Sequence, residues 1–106
     1  MIIKLRKRFQ YEGYDLTEVD LNFEGAPANI IRKADAKVSK MNYVPQMKQM
    51  DTLYCGTVAS LLTGIPYEVL ESMPLPDFNT IINAVSLFLL TSEEAREETL
   101  PLPSEV

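Results

Sequence analysis

The first stretch of the chain alternates. Ile3, Leu5 and Phe9 occupy one side of residues 2 to 9, while Lys4, Arg6 and Arg8 occupy the other and Lys7 interrupts the pattern. Residues 16 to 23 repeat the period of two, with Val19, Leu21 and Phe23 set against Glu18, Asp20 and Asn22. Alternation of this kind predicts two half-buried strands. The link between them, "QYEGYD", holds Gly13, which suits a turn position with positive φ. An antiparallel hairpin is expected, basic on the polar side of its first strand and acidic on that of its second. A lone hairpin is marginal in water, so it must rest on helices or join another sheet.

The period then changes to that of helices. After the Gly-Ala-Pro break at 25 to 27, the spacing predicts a helix from about Pro27, with Ile30, Ile31, Ala34, Val38 and Met41 as its apolar stripe. Arg32, Lys33, Lys37 and Lys40 fill the rest, as a solvated face or as a docking face for a membrane or a partner. A second helix is predicted from about Pro45 to Thr63, with Met47, Met50, Tyr54, Val58 and Leu61 at three- and four-residue steps and Gly64 as its C-terminal cap. The methionine pair reads as core or as an adaptable binding surface. Gly56, mid-helix, suits close approach by another helix, and with Cys55, Ala59 and Ser60 forms a patch of small residues. Pro66 opens a short helix whose apolar residues are Val69, Leu70 and Met73, and Pro74 closes it. From Pro76 a last helix carries Phe78, Ile81, Ile82, Val85, Phe88 and Leu89 on a broad face, with Leu87 and Leu90 apolar on the remaining arc. A helix apolar nearly all round is either central to its own domain or covered by another chain.

The fold class expected is therefore α+β: an N-terminal antiparallel β-hairpin followed by a small bundle of three to four α-helices. Residues 1–92 form one domain, and 93–106 an acidic, flexible tail. The length of 106 residues fits one modest core. Of the net charge of −5, −4 falls in residues 93 to 106. That balance argues against a nucleic-acid footprint, and the basic cluster Lys4, Arg6, Lys7 and Arg8 reads as a charge-paired hairpin rather than a phosphate site. The most apolar run, residues 81 to 90, is far short of the roughly 20 residues of a spanning helix, and the N-terminus lacks a signal-peptide core. A soluble, cytoplasmic protein is expected.

Catalytic and cofactor chemistry is not expected. The chain has no His and a single cysteine, Cys55, so neither a structural zinc site nor an internal disulfide is open to it. Its four glycines are isolated from one another, so there is no phosphate-cradling loop. Cys55 and Ser60 lie on a helix without a nearby base. Binding or assembly is the expected role, with no catalytic, metal or cofactor residues. Met47, Met50, Tyr54, Ile81, Leu87 and Leu90 are the candidate contacts to a partner or second subunit.

The ordered features of this chain resemble one family. The hairpin "YEGYDLTEVDLNFEG", the basic helix and "LLTGIPYEVLESMPLPDFNTIINAVSLFL" together resemble the tail assembly chaperones of long-tailed bacteriophages, the Mu-like and lambda G-like groups in particular. The matching positions are Leu62, Thr63, Gly64, Pro66, Leu70, Asp77, Phe78, Ile81, Val85, Phe88 and Leu89, within a likeness that covers residues 2 to 92. The prolines of "SMPLPDF" depart from the family pattern. The resemblance implies a protein that binds the tape-measure protein in the infected bacterial cytoplasm and keeps it soluble. It also implies help in recruiting tail-tube subunits, absence from the mature virion, self-association and, in many such phages, a longer frameshifted form. The alternative is a self-associating structural or regulatory interaction module without catalytic activity.

Overall fold

A computed structural model describes residues 1–99, with side chains described through Thr91. The N-terminal hairpin pairs β1 (Ile2–Tyr11) with β2 (Tyr14–Asp20). Both turn residues between them, Glu12 at φ 50° and Gly13 at φ 84°, have positive φ, the mirror-image turn whose twist matches that of paired strands. The helices are α1 (Ile30–Lys40), α2 (Thr52–Thr63), α3 (Tyr67–Glu71) and α4 (Leu75–Thr99). This is the expected α+β architecture, a hairpin followed by helices.

The hairpin register carries a break that alternation alone does not reveal. Lys4 faces Glu18, but the next paired residue of β1 is Phe9, facing Leu16, so β1 bulges between them. Lys7 interrupts the alternation inside this bulge. The bulge frees the Arg6 N–H from the ladder, and it donates instead to Asp77 Oδ1 at 3.1 Å in the first turn of α4. Arg8 and Asp15 form an exposed ion pair across the hairpin. Strand pairing ends at Asp20, short of Phe23. Leu21 nevertheless exchanges two backbone bonds with Met1, and its side chain is fully buried.

The helix stripes are narrower than their spacing predicts. On α1, Ile30, Ala34 and Val38 are buried, while Ile31 and Met41 are exposed. The helix begins at Ile30 rather than Pro27. Helix α2 begins at Thr52 rather than near Pro45, because Asp51 caps it: its carboxylate accepts the Tyr54 N–H at 2.9 Å. Gly64, at φ 78°, closes α2 in the left-handed conformation expected of it. Six consecutive residues of α2, Tyr54 to Ala59, are buried, so it is the central helix, flanked by α1, α3 and α4. A Cβ at Gly56 would lie 2.4 Å from Tyr67 Cε2, so the close approach there is made by an aromatic ring of α3.

Val69, Leu70 and Met73 are buried as expected, and so are Ile81, Ile82 and Val85 of α4. Phe78 is half-buried, with its ring edge-on to Tyr67. Phe88 is exposed at its rim but stacks on Phe23 with centroids 4.1 Å apart. Helix α4 runs past Glu94 to Thr99, so the residues assigned to a flexible tail begin as helix. The rest of that tail, 100–106, lies outside the described residues.

Candidate functional site

The connection between α1 and α2 exposes Tyr43, Val44, Met47 and Met50, directly after exposed Met41. Helix α1 stops where Asn42 takes φ 56°, a left-handed conformation that asparagine tolerates better than most residues. Pro45 cannot donate to a continuing helix ladder. A single 3₁₀ turn over Lys48–Met50 then leads into the Asp51 cap.

Polar bonds tie this segment to the helices. Tyr43 donates its hydroxyl to the second oxygen of Asp51. Ser86 of α4 donates to the Gln49 carbonyl at 2.5 Å, and the Cys55 thiol points at the same oxygen from 3.5 Å. Lys48 pairs with Asp35 at 2.9 Å and lies 5.9 Å from the centroid of the Tyr54 ring. With the backbone tethered, the apolar side chains are left outside. Val44 is 88% exposed, Met50 65% and Met47 57%.

A second apolar feature lies at the start of α1, away from this connection. The stacked pair Phe23–Phe88 borders a groove of about 200 Å³, floored by Ile30, Val58 and Leu62 and flanked by exposed Ile31. A third is the outer face of α4, where Leu87 is 64% exposed and Leu90 half-buried.

The candidate contacts therefore divide. Met47, Met50 and Leu87 are on the surface and Leu90 is half-buried. Tyr54 and Ile81 are corrected: at 2% and 0% exposure they belong to the chain's own core and offer no area to another molecule. Spacing alone placed Tyr54 with Met47 and Met50, but the helix that would align them starts only at Thr52. Val44 was not singled out by its sequence. Its signal was its place directly before Pro45, a position driven out of helix.

Reactive groups are quiet here. Burial, with Asp51 nearby, pushes the Cys55 thiol up to about 11, leaving it protonated at neutral pH. Among the described residues no group of His, Cys, Asp or Glu could hold a metal ion, and no helix is long and apolar enough to cross a membrane. Among the described residues the Asp77 carboxylate is buried, and its Oδ2 has no hydrogen-bond partner. It lies by a small cleft lined by Arg6, Lys7, Pro74 and Pro76. The chain matches no family model, no curated protein and no solved structure.

Proposed function

We propose that this protein is a phage tail assembly chaperone, acting in the cytoplasm of the infected bacterial host. It binds the tape-measure protein, keeps its apolar helical stretches soluble, helps bring tail-tube subunits to it, and is absent from the mature virion. The motif order from hairpin to "DFNTIINAVSLFL" suggests the family. The physical observation that supports a chaperone role is the exposed apolar connection from Met41 to Met50.

Water-exposed clusters of large apolar side chains are usually functional in a folded monomer. This one is tethered beneath by Asp51, Ser86 and Cys55, so it is presented rather than free to collapse inward. Its methionines suit a partner whose apolar face varies along its length, because unbranched thioether side chains repack without strain. An amphipathic helix laid on such a surface is an ordinary recognition mode. The reading assigns no catalytic step and no cofactor.

Co-expression with the tape-measure protein of the same phage should raise that protein's soluble fraction, and the two should co-purify. The substitutions Val44→Glu and Met47→Glu, both on the surface, should abolish the gain without unfolding the chaperone. No gain in solubility and no co-purification with the unsubstituted chain would overturn the proposal. A self-associating interaction module is the second reading, favoured by the exposure of Leu87 on α4.

A further inference from the structure

We propose that one flank of α1 receives a single acidic amphipathic helix of a partner chain, which seats an apolar side chain at each end of the flank and carboxylates over Arg32 between them.

The flank is continuous. The Phe23–Phe88 groove takes Ile30 and Ile31 from the start of α1. Further along the helix, Val38 and Ser39 line a cleft of about 180 Å³ with Tyr43, Val44 and Tyr54. A shallow depression lies between the two. It shares Ala28 and Ile31 with the groove and Asp35 with the cleft, and it adds Arg32. Eight residues of α-helix rise about 12 Å, so the two recesses are close to two helical turns apart. Each is near the size of a cavity that holds a benzene ring, which leaves room for one large side chain and not for a helix. A helix laid along α1 carries side chains about seven or eight residues apart on one face, and these reach both recesses. An extended segment would find no strand edge here to bond its backbone.

Charge defines the rest of the occupant. Arg32, Lys33, Lys37 and Lys40 are exposed on α1 and make no ion pair among the described residues. The one acid of α1, Asp35, is already held by Lys48 at 2.9 Å. Arg32 lines the depression between the two recesses. A partner carboxylate one turn from each apolar anchor lies on the same face of its helix and meets Arg32 there. The surface therefore selects an acidic helix over a basic one. That the helix belongs to the tape-measure protein rests on the chaperone reading. The match of this flank to an acidic amphipathic helix does not.

The probe is a labelled, alanine-based helical peptide with a leucine at each end of two turns and glutamates between them on the same face. Fluorescence anisotropy with the full chain should show saturable binding. A peptide of the same composition with its leucines on opposite faces should bind about tenfold more weakly, and so should a peptide that keeps either leucine alone. Ile31→Glu, at an exposed position outside the Met41–Met50 connection, should also cost about tenfold, with an unchanged circular dichroism spectrum. Arg32→Glu should cost roughly fivefold, and lysines in place of the peptide's glutamates should recover it. No binding at about 0.2 mM peptide would overturn the proposal. So would equal binding of the opposite-face peptide, or indifference to Ile31→Glu. Two other occupants would overturn it as well: phosphatidylglycerol vesicles bound in place of the peptide, or a dimer in sedimentation that excludes the peptide. Peptide binding without any gain in tape-measure solubility would uphold this inference and count against the chaperone reading alone.

Discussion

The Arg6 N–H and the Asp77 carboxylate meet at 3.1 Å across 71 residues of sequence, and this bond joins the hairpin to the last helix. Asp77 is 3% exposed, so its carboxyl group is kept out of water and relies on the donor that the bulge supplies. Removing the acceptor leaves the Arg6 N–H, already released from the strand ladder, without this partner. Asp77→Ala should therefore cost about 1.5–3 kcal/mol, the range for a hydrogen bond to a charged group. Asp77→Asn keeps an acceptor oxygen and should cost less. Urea denaturation of the three proteins checks this. Equal losses for Ala and Asn would show that the bond to Arg6 contributes nothing.

Gly56 and Tyr67 make a second testable pair. Alanine at 56 gains roughly 0.8–1 kcal/mol of helix propensity. Its Cβ, however, would lie 2.4 Å from the Tyr67 ring, which is set edge-on to Phe78. Overpacking of this kind typically costs about 1–3 kcal/mol, so the net sign should be destabilising. In the Tyr67→Ala background the clash is gone and Gly56→Ala should stabilise. A double-mutant cycle measures the reversal, and strict additivity would refute it.

Alkaline pH should weaken the fold through α2. Burial first, then Asp35, raises the Tyr54 hydroxyl from 10.0 to about 12, and burial raises Cys55 from 9.0 to about 11. A group whose folded value is raised stabilises the protein fully below its unfolded value and loses that contribution as pH climbs through the folded one. Stability should thus hold up to about pH 9 and decline above it, in the range where an unfolded thiol ionises. Cys55→Ala should flatten the decline between pH 9 and 11. Urea midpoints across that range for both proteins decide it, and identical slopes would exclude the thiol.

The cap on α2 gives a fourth expectation. Asp51 accepts the Tyr54 N–H and the Tyr43 hydroxyl, fixing both the start of the helix and the end of the exposed connection. Asp51→Ala should cost about 0.5–2 kcal/mol. It should also loosen residues 43 to 50, seen as faster amide exchange there than in the unsubstituted chain. Unchanged exchange would mean that the Asp51 carboxylate does not hold the connection.

Much of this architecture could be read from residue order. The period of two around Gly13, the Gly64–Pro66 and Pro74–Pro76 breaks, and the apolar face of residues 78 to 89 each act locally, and local signals survive in sequence. The exposed connection did not read correctly. Met47, Met50 and Tyr54 stand at helical steps, yet only Tyr54 is in an α-helix, because periodicity records which residues are apolar and not whether they are covered. The capping carboxylate of Asp51 settles the boundary, and it competes with Pro45 as a plausible start. Asp77 was legible only as part of a motif. Its function depends on a backbone donor in another element, exposed by a strand irregularity that no spacing rule announces.

The link between Arg6 and Asp77 also bears on synthesis at the ribosome. The hairpin is translated first, and a two-stranded hairpin alone is at best marginally stable in water. The carboxylate that receives it is made 71 residues later, which is roughly 4–14 s at common bacterial and eukaryotic translation speeds. During that interval the nascent strands hold their apolar face, with Ile3, Leu5 and Val19, without the helix that completes the fold.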